Sequence, residues 1–168
     1  MTGTGLGRAW EILKGVPDPE VPVISVCDLG IVRDLYAEGD GLHVVLTPTY
    51  SGCPATEQIE SSVVAALETA GLGPVRVSLQ RAPAWTTDWI SETGRRKLRE
   101  YGIAPPGPVA AESETVLRFM PQRTRVPLSC PRCDSLQTER LSAFGSTACK
   151  ALYRCLTCRE PFEHFKPL

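Results

Sequence analysis

The sequence predicts an α/β protein in two parts: a small mixed domain of helix, β-hairpin, helix, strand and helix, then a cysteine-ligated ribbon. Three observations carry this. The alternating run Leu42-His43-Val44-Val45-Leu46 leads through a Gly- and Pro-containing turn into a helical stripe, Ile59, Val63, Ala66, Leu67 and Ala70. A further alternating run follows at Val75, Val77 and Leu79, and strand, helix, strand in that order calls for a right-handed crossover that leaves the two strands parallel. Four of the seven cysteines fall in two C-x-x-C pairs beyond a Pro-, Gly- and Ala-rich stretch from Pro105 to about Glu114. The domains are therefore expected at 1–104 and 126–168, joined by a linker at 105–125.

Taken in order, Thr4 to Lys14 reads as a helix with Leu6, Ala9, Trp10 and Leu13 on one face, ended by Gly15 and Pro17. Asp18-Pro19-Glu20 and Cys27-Asp28-Leu29-Gly30 flank Val21 to Val26. Asp18, Glu20 and Asp28 form either an acidic cluster or a set of turn carboxylates that cap neighbouring amides. Ile31 to Glu38 reads as a strand, and Gly39-Asp40-Gly41 turns it into the next at Leu42. The crossover helix stops at Gly71. Thr87 or Asp88 is expected to cap a last helix running to about Tyr101, ended by Gly102 and Pro105-Pro106. Trp85 and Trp89 before it either close the core or form a partner surface or a lid over Cys53. Arg95, Arg96, Lys97 and Arg99 are flanked by Glu92 and Glu100, as on a solvated helix face.

The totals narrow the function. A net charge of −1 provides no basis for nucleic-acid or membrane binding by charge. No apolar run reaches membrane-span length and no export signal is visible, so a cytoplasmic protein is expected. Seven cysteines in that setting argue for metal or redox chemistry over a disulfide framework. No nucleotide loop, serine triad, HExxH helix or paired catalytic carboxylate stands at usable spacing, which points away from an enzyme.

The stretch Thr47-Pro48-Thr49-Tyr50-Ser51-Gly52-Cys53-Pro54 places Cys53 at or just before a helix N-terminus, with Pro54 in the first turn. Unpaired amides and the helix dipole favour thiolate there; the other reading is a buried cysteine serving as a small apolar residue. Cys130, Cys133, Cys155 and Cys158 form two knuckles separated by 21 residues, the spacing of a structural zinc site. Thr138 to Phe144 and Lys150 to Arg154 are expected to pair as strands between them, the plan of a zinc ribbon. Arg132, Lys150, Arg154 and Arg159 lie near enough in sequence to offset the charge of four thiolates. Iron in a rubredoxin-like site is the competing reading, because sulfur ligation alone does not choose the metal. Cys149 is left over, as a buried apolar residue, a substitute ligand or a second functional thiol. His164 is expected to pack among Phe162 and Phe165, and His43 has no nameable partner.

Asp18-Pro19-Glu20, Asp28-Leu29-Gly30 and Gly52-Cys53-Pro54 together resemble the MIP18-like, SufT-like family of iron-sulfur assembly proteins, over roughly residues 6 to 103. The Trp85 to Trp89 segment and the tail from Phe144-Gly145-Ser146-Thr147-Ala148-Cys149 to Cys155 are more specifically similar to the PaaD (PaaJ) family of phenylacetate degradation. The resemblance implies a MIP18-like first domain and a cytoplasmic, non-catalytic accessory protein of the phenylacetyl-CoA ring epoxidase. It implies help in maturing the iron-sulfur centre of the epoxidase's reductase component, its main partner. Cys53 takes the family's reactive cysteine position and is expected to handle iron or a cluster transiently, within one chain or across a homodimer, with Asp18, Glu20 and Asp28 as further candidates for cluster or metal handling. Cys149 belongs to the tail motif and is a candidate extra thiol, whereas Cys27 stands where the family pattern requires no cysteine. The alternative is a rubredoxin-like electron-transfer protein of the oxygenase. A nucleic-acid-binding ribbon lacks the broad basic surface it needs, since residues 126–168 carry 6 basic and 4 acidic side chains.

Overall fold

A computed structural model describes residues 3–50, 54–107 and 128–167. The chain divides into two compact units, Met1–Lys97 and Leu98–Leu168, with the division falling inside a helix.

In the first unit, helix α1 (Gly3–Leu13) precedes the hairpin of β1 (Val32–Glu38) and β2 (Gly41–Leu46). Helix α2 (Thr56–Thr69) then crosses to β3 (Val75–Leu79). The sheet order is β1-β2-β3, with β1 antiparallel and β3 parallel to β2, as the strand-helix-strand order requires. Leu42, Val44 and Leu46 alternate onto one face, where Leu35 and the α2 residues Ile59, Val63 and Leu67 are also buried. Ala9 and Leu13 of α1 complete this layer. Leu79 departs from the expected pattern: it is 38% exposed, because β3 is an edge strand and Leu79 is its last residue.

The segment between α1 and β1 folds as turns tied by one bridge between Pro17 and Ser25. At its end the Asp28-Leu29-Gly30 turn needs glycine for two reasons. Gly30 has φ of 69°, in the left-handed region, and a Cβ there would lie 2.6 Å from the carbonyl oxygen of Trp89. Trp85 is buried and its indole N–H donates to the carbonyl of Leu29 at 2.9 Å, while the Arg33 guanidinium stacks over Trp89 at 3.5 Å. Trp85 thus closes the core, and Trp89 is fixed against the same turn.

The last helix, α3 (Glu92–Tyr101), begins later than the sequence suggests. Thr87–Trp89 forms only a single 3-10 turn, and Ser91 takes the capping role, its Oγ accepting the amide of Gly94 at 2.9 Å.

The second unit holds the antiparallel strands β5 (Thr138–Ser142), β6 (Lys150–Cys155) and β7 (Pro161–Phe165), with a two-residue strand β4 (Ile103–Ala104) parallel to β7. The order is β4-β7-β6-β5. The pairing of β5 with β6 follows the expected hairpin; β4 and β7 were not legible as strands. Phe162 and Phe165 of β7 are buried, and Phe162 stacks on Tyr153 of β6 at 5.9 Å.

Candidate metal centre and the cysteine turn

The two knuckles are built alike. Cys130 N–H donates to the carbonyl of Ser135 at 2.9 Å, and Cys155 N–H donates to that of Glu160 at 3.0 Å, five residues on in each case. The residue after each second cysteine is left-handed, Asp134 with φ 60° and Arg159 with φ 65°. The turns curl each pair of thiols inward, and Ser135 Oγ meets Thr157 Oγ1 at 2.7 Å to tie one knuckle to the other. All four sulfurs lie within 4.8 Å of one another, with Cys130 to Cys158 at 3.8 Å and Cys133 to Cys155 at 3.6 Å. A tetrahedral ion with metal–sulfur bonds of about 2.3 Å requires sulfur–sulfur edges of about 3.8 Å, so the donor set fits a four-thiolate metal site. The Cys158 N–H points at the Cys155 sulfur at 3.5 Å and lowers the Cys155 pKa against the opposing effect of burial, while at Cys158 the lowering by the Glu160 backbone is outweighed by burial and the neighbouring sulfurs, which raise its pKa.

Charge around the site is distributed differently from the sequence expectation. Lys150 is buried and pairs with Glu163 at 3.0 Å, and Arg154 pairs with Glu139. Those two cations are neutralised within the sheet. Arg132 and Arg159, both exposed, have no carboxylate partner among the described residues. Cys149 is buried beside Thr147, its sulfur 3.0 Å from Oγ1, and is not among the converging sulfurs. His164 packs its ring edge against Tyr153 at 5.6 Å, and burial lowers its pKa to about 4, so it is neutral near pH 7.

In the first unit, Cys53 lies outside the described residues, together with Ser51 and Gly52; its flanks are described. Helix α2 starts at Thr56 with Ala55 as its N-cap, the Ala55 carbonyl accepting from Ile59 N–H at 2.9 Å. Pro54 therefore precedes the cap and is not in the first turn. Asp18 is buried, and its Oδ1 accepts the amides of Glu20 at 2.9 Å and Val21 at 2.8 Å. Glu20 is half-buried in the same turn. Asp28 holds a wider network: Lys97 Nζ reaches Oδ2 at 2.6 Å, Ser91 Oγ reaches Oδ1 at 3.1 Å, and Ser25 N–H donates to Oδ2 at 3.3 Å. Burial opposes its ionisation, but these donors outweigh burial and hold the carboxyl below its usual range. Both aspartates thus act as turn carboxylates, and Asp28 also anchors the start of α3. Among the described residues, the four ribbon cysteines form the one group of three or more metal-ligating side chains. Burial, reinforced by the Asp28 charge, pushes the Cys27 thiol up to about 11, which leaves it protonated and unreactive near neutral pH.

Other polar groups were missed from sequence. His43, expected with no nameable partner, has three: Nε2 meets Ser78 Oγ at 2.7 Å, and Nδ1 meets the Tyr36 hydroxyl at 3.1 Å and lies 3.5 Å from Glu38 Oε2. The strand register carries the signal, since Tyr36 lies directly opposite His43. The hydroxyls of Thr47 and Thr87 are buried without a hydrogen-bond partner among the described residues.

Residues 118–166 match the PaaD zinc beta ribbon domain, and residues 8–79 match the family of iron-sulfur cluster assembly proteins. The chain is 50% identical over 157 residues to a putative 1,2-phenylacetyl-CoA epoxidase subunit of Escherichia coli (strain K12), covering 94% of this chain and 90% of that relative. The chain belongs to the PaaD family. The assembly-type match falls in the first unit and the ribbon match spans both knuckles. A crystal structure of a DUF59 domain of unknown function from Bacillus anthracis overlays with a TM-score of 0.53 at 26% identity, over 56% of this chain and 92% of that one. Among the described residues no helix is long and apolar enough to cross a membrane.

Proposed function

We propose that this chain is a cytoplasmic, non-catalytic maturation factor that helps assemble or deliver an iron-sulfur cluster to the reductase component of a phenylacetyl-CoA epoxidase. The observation that carries it is the pairing, in one chain, of an iron-sulfur assembly domain with a four-cysteine ribbon, in a protein half identical to an epoxidase subunit. Cys53 is the residue assigned to transient iron or cluster handling, with Asp18, Glu20 and Asp28 shaping the turns of its unit. One thiolate leaves most ligand positions of a cluster open, which suits transfer over storage. Cys130, Cys133, Cys155 and Cys158 are assigned to a closed structural zinc site, in which the metal fixes the ribbon and needs no open position.

In this reading the ribbon docks the client and the first unit hands over the cargo. The test is complementation of a strain lacking the chain. Wild-type protein is expected to restore the iron and sulfide content of the purified reductase component, and Cys53→Ser to fold normally but leave that content low. Full cluster content with Cys53→Ser would contradict the assignment. The sulfur geometry also fits iron, so a second reading, a rubredoxin-like redox subunit, is separated by metal content and a visible absorption band tied to Cys130.

A further inference from the structure

We propose that the knuckle end of the ribbon is a docking surface for a protein partner that presents carboxylates around an apolar patch. The inference rests on the reading above, in which the ribbon recognises a client, and it names where and by what chemistry. Large apolar side chains collect there: Tyr101 is 62% exposed, Leu136 61% and Leu156 43%. Leu136 follows the first knuckle and Leu156 lies within the second. The Leu156 N–H donates to the carbonyl of Gln137 at 2.8 Å, so the two leucines sit on abutting segments. Arg132 stands beside the end of α3, its Nη2 3.9 Å from where a Cβ on Gly102 would lie, next to Tyr101.

The charges select the partner. Arg99 is paired with Asp134, Lys150 with Glu163 and Arg154 with Glu139. Arg132 and Arg159 remain exposed at the knuckle end with no carboxylate partner among the described residues, although Glu160 adjoins Arg159 in sequence. A planar guanidinium with free donors is matched by a carboxylate in a two-pronged hydrogen bond. Two unpaired arginines beside exposed leucines are too few cations and too much apolar surface for a phosphate backbone. The metal-ligated turns hold these side chains in place before any partner arrives, so little ordering entropy is lost on docking. Tyr and Arg are also the residue types that concentrate binding energy in interface centres.

The experiment measures binding of the full metal-loaded chain to each purified epoxidase component by interferometry, with metal content and circular dichroism confirming that each variant is folded. Leu136→Ser with Leu156→Ser is expected to weaken binding roughly ten-fold or more, as for central interface anchors. Arg132→Glu with Arg159→Glu is expected to weaken it at low salt, with a smaller loss as salt rises. Phe144→Ser is the control: Phe144 is 65% exposed but lies beyond the far end of β5, under Lys166. Wild-type affinity in both paired variants would overturn the proposal, as would loss of binding confined to Phe144→Ser, binding of RNA or DNA in place of every component, or no binding of the wild-type chain. Cluster content with Cys53→Ser is read separately, so failure of this surface and failure of the maturation role are distinguishable.

Discussion

In residues 1–97 the interior consists of aliphatic side chains from several elements, among them Leu13, Leu29, Leu42, Val44, Val63 and Leu67, all nearly inaccessible to solvent. In residues 98–168 the buried cluster around the knuckles is Ala104, Cys130, Cys155 and Phe162, with Leu128, Tyr153 and Cys158 packed on it. Three of those seven are also metal-ligand candidates. The first unit is therefore held by burial of apolar area, whereas around the knuckles the metal-ligand candidates are themselves part of the buried cluster, so a bound ion is expected to help hold it. The contrast is between a core of apolar side chains and a cluster that its metal-ligand candidates help to build.

The sharpest way to break this contrast is to remove the metal. Cys130→Ser, or chelation of the wild-type chain, is expected to abolish hydrogen-exchange protection in β5, β6 and β7 while β1, β2 and β3 stay protected. The energy lost is on the order of 10 kcal/mol, as for small zinc domains. The converse change is Leu67→Ala, which leaves a cavity in the first unit. It is expected to cost about 2–5 kcal/mol in urea unfolding with metal content unchanged.

A smaller effect is expected at Asp28. Asp28→Asn weakens the bonds from Lys97 and Ser91 and is expected to cost about 1.5–3 kcal/mol. The lower end applies, because the Lys97 side chain is 35% exposed and water screens the pair. The folded carboxyl is held below its usual range, so its contribution is present above about pH 4 and is lost as pH falls through the lowered value. Stability of Asp28→Asn, followed by thermal melting, should change less over that acid window than stability of the wild-type chain. Smallest is Glu139→Gln, which breaks an exposed pair with Arg154 in the ribbon and is expected to change stability by less than about 1 kcal/mol.

Most of the first unit was legible in sequence because its signals are local and periodic. Alternation at Leu42, Val44 and Leu46, helical spacing at Ile59, Val63 and Leu67, and the turn at Gly39-Asp40-Gly41 each act over a few residues. The start of α3 was misplaced because Thr87, Asp88 and Ser91 are all good caps, and what favours Ser91 is its hydrogen bond to Asp28, 63 residues away in sequence. The four ligands were legible from spacing alone, whereas β4 and β7 were not, since Ile103-Ala104 acquires strand character only by pairing with Glu163 and His164. The same limit hid the pairing of Lys150 and Arg154, whose partners come from neighbouring strands, and the bonds of His43 to Tyr36 and Ser78.

The most direct test of the account is elemental analysis of anaerobically purified wild-type chain beside Cys53→Ser and Cys130→Ser, with absorption spectra of each. About one zinc per chain is expected, lost only in Cys130→Ser, with substoichiometric iron lost only in Cys53→Ser. Iron bound in the wild-type ribbon, absent from Cys130→Ser and unaffected by Cys53→Ser, would contradict it and mark the chain as a redox protein.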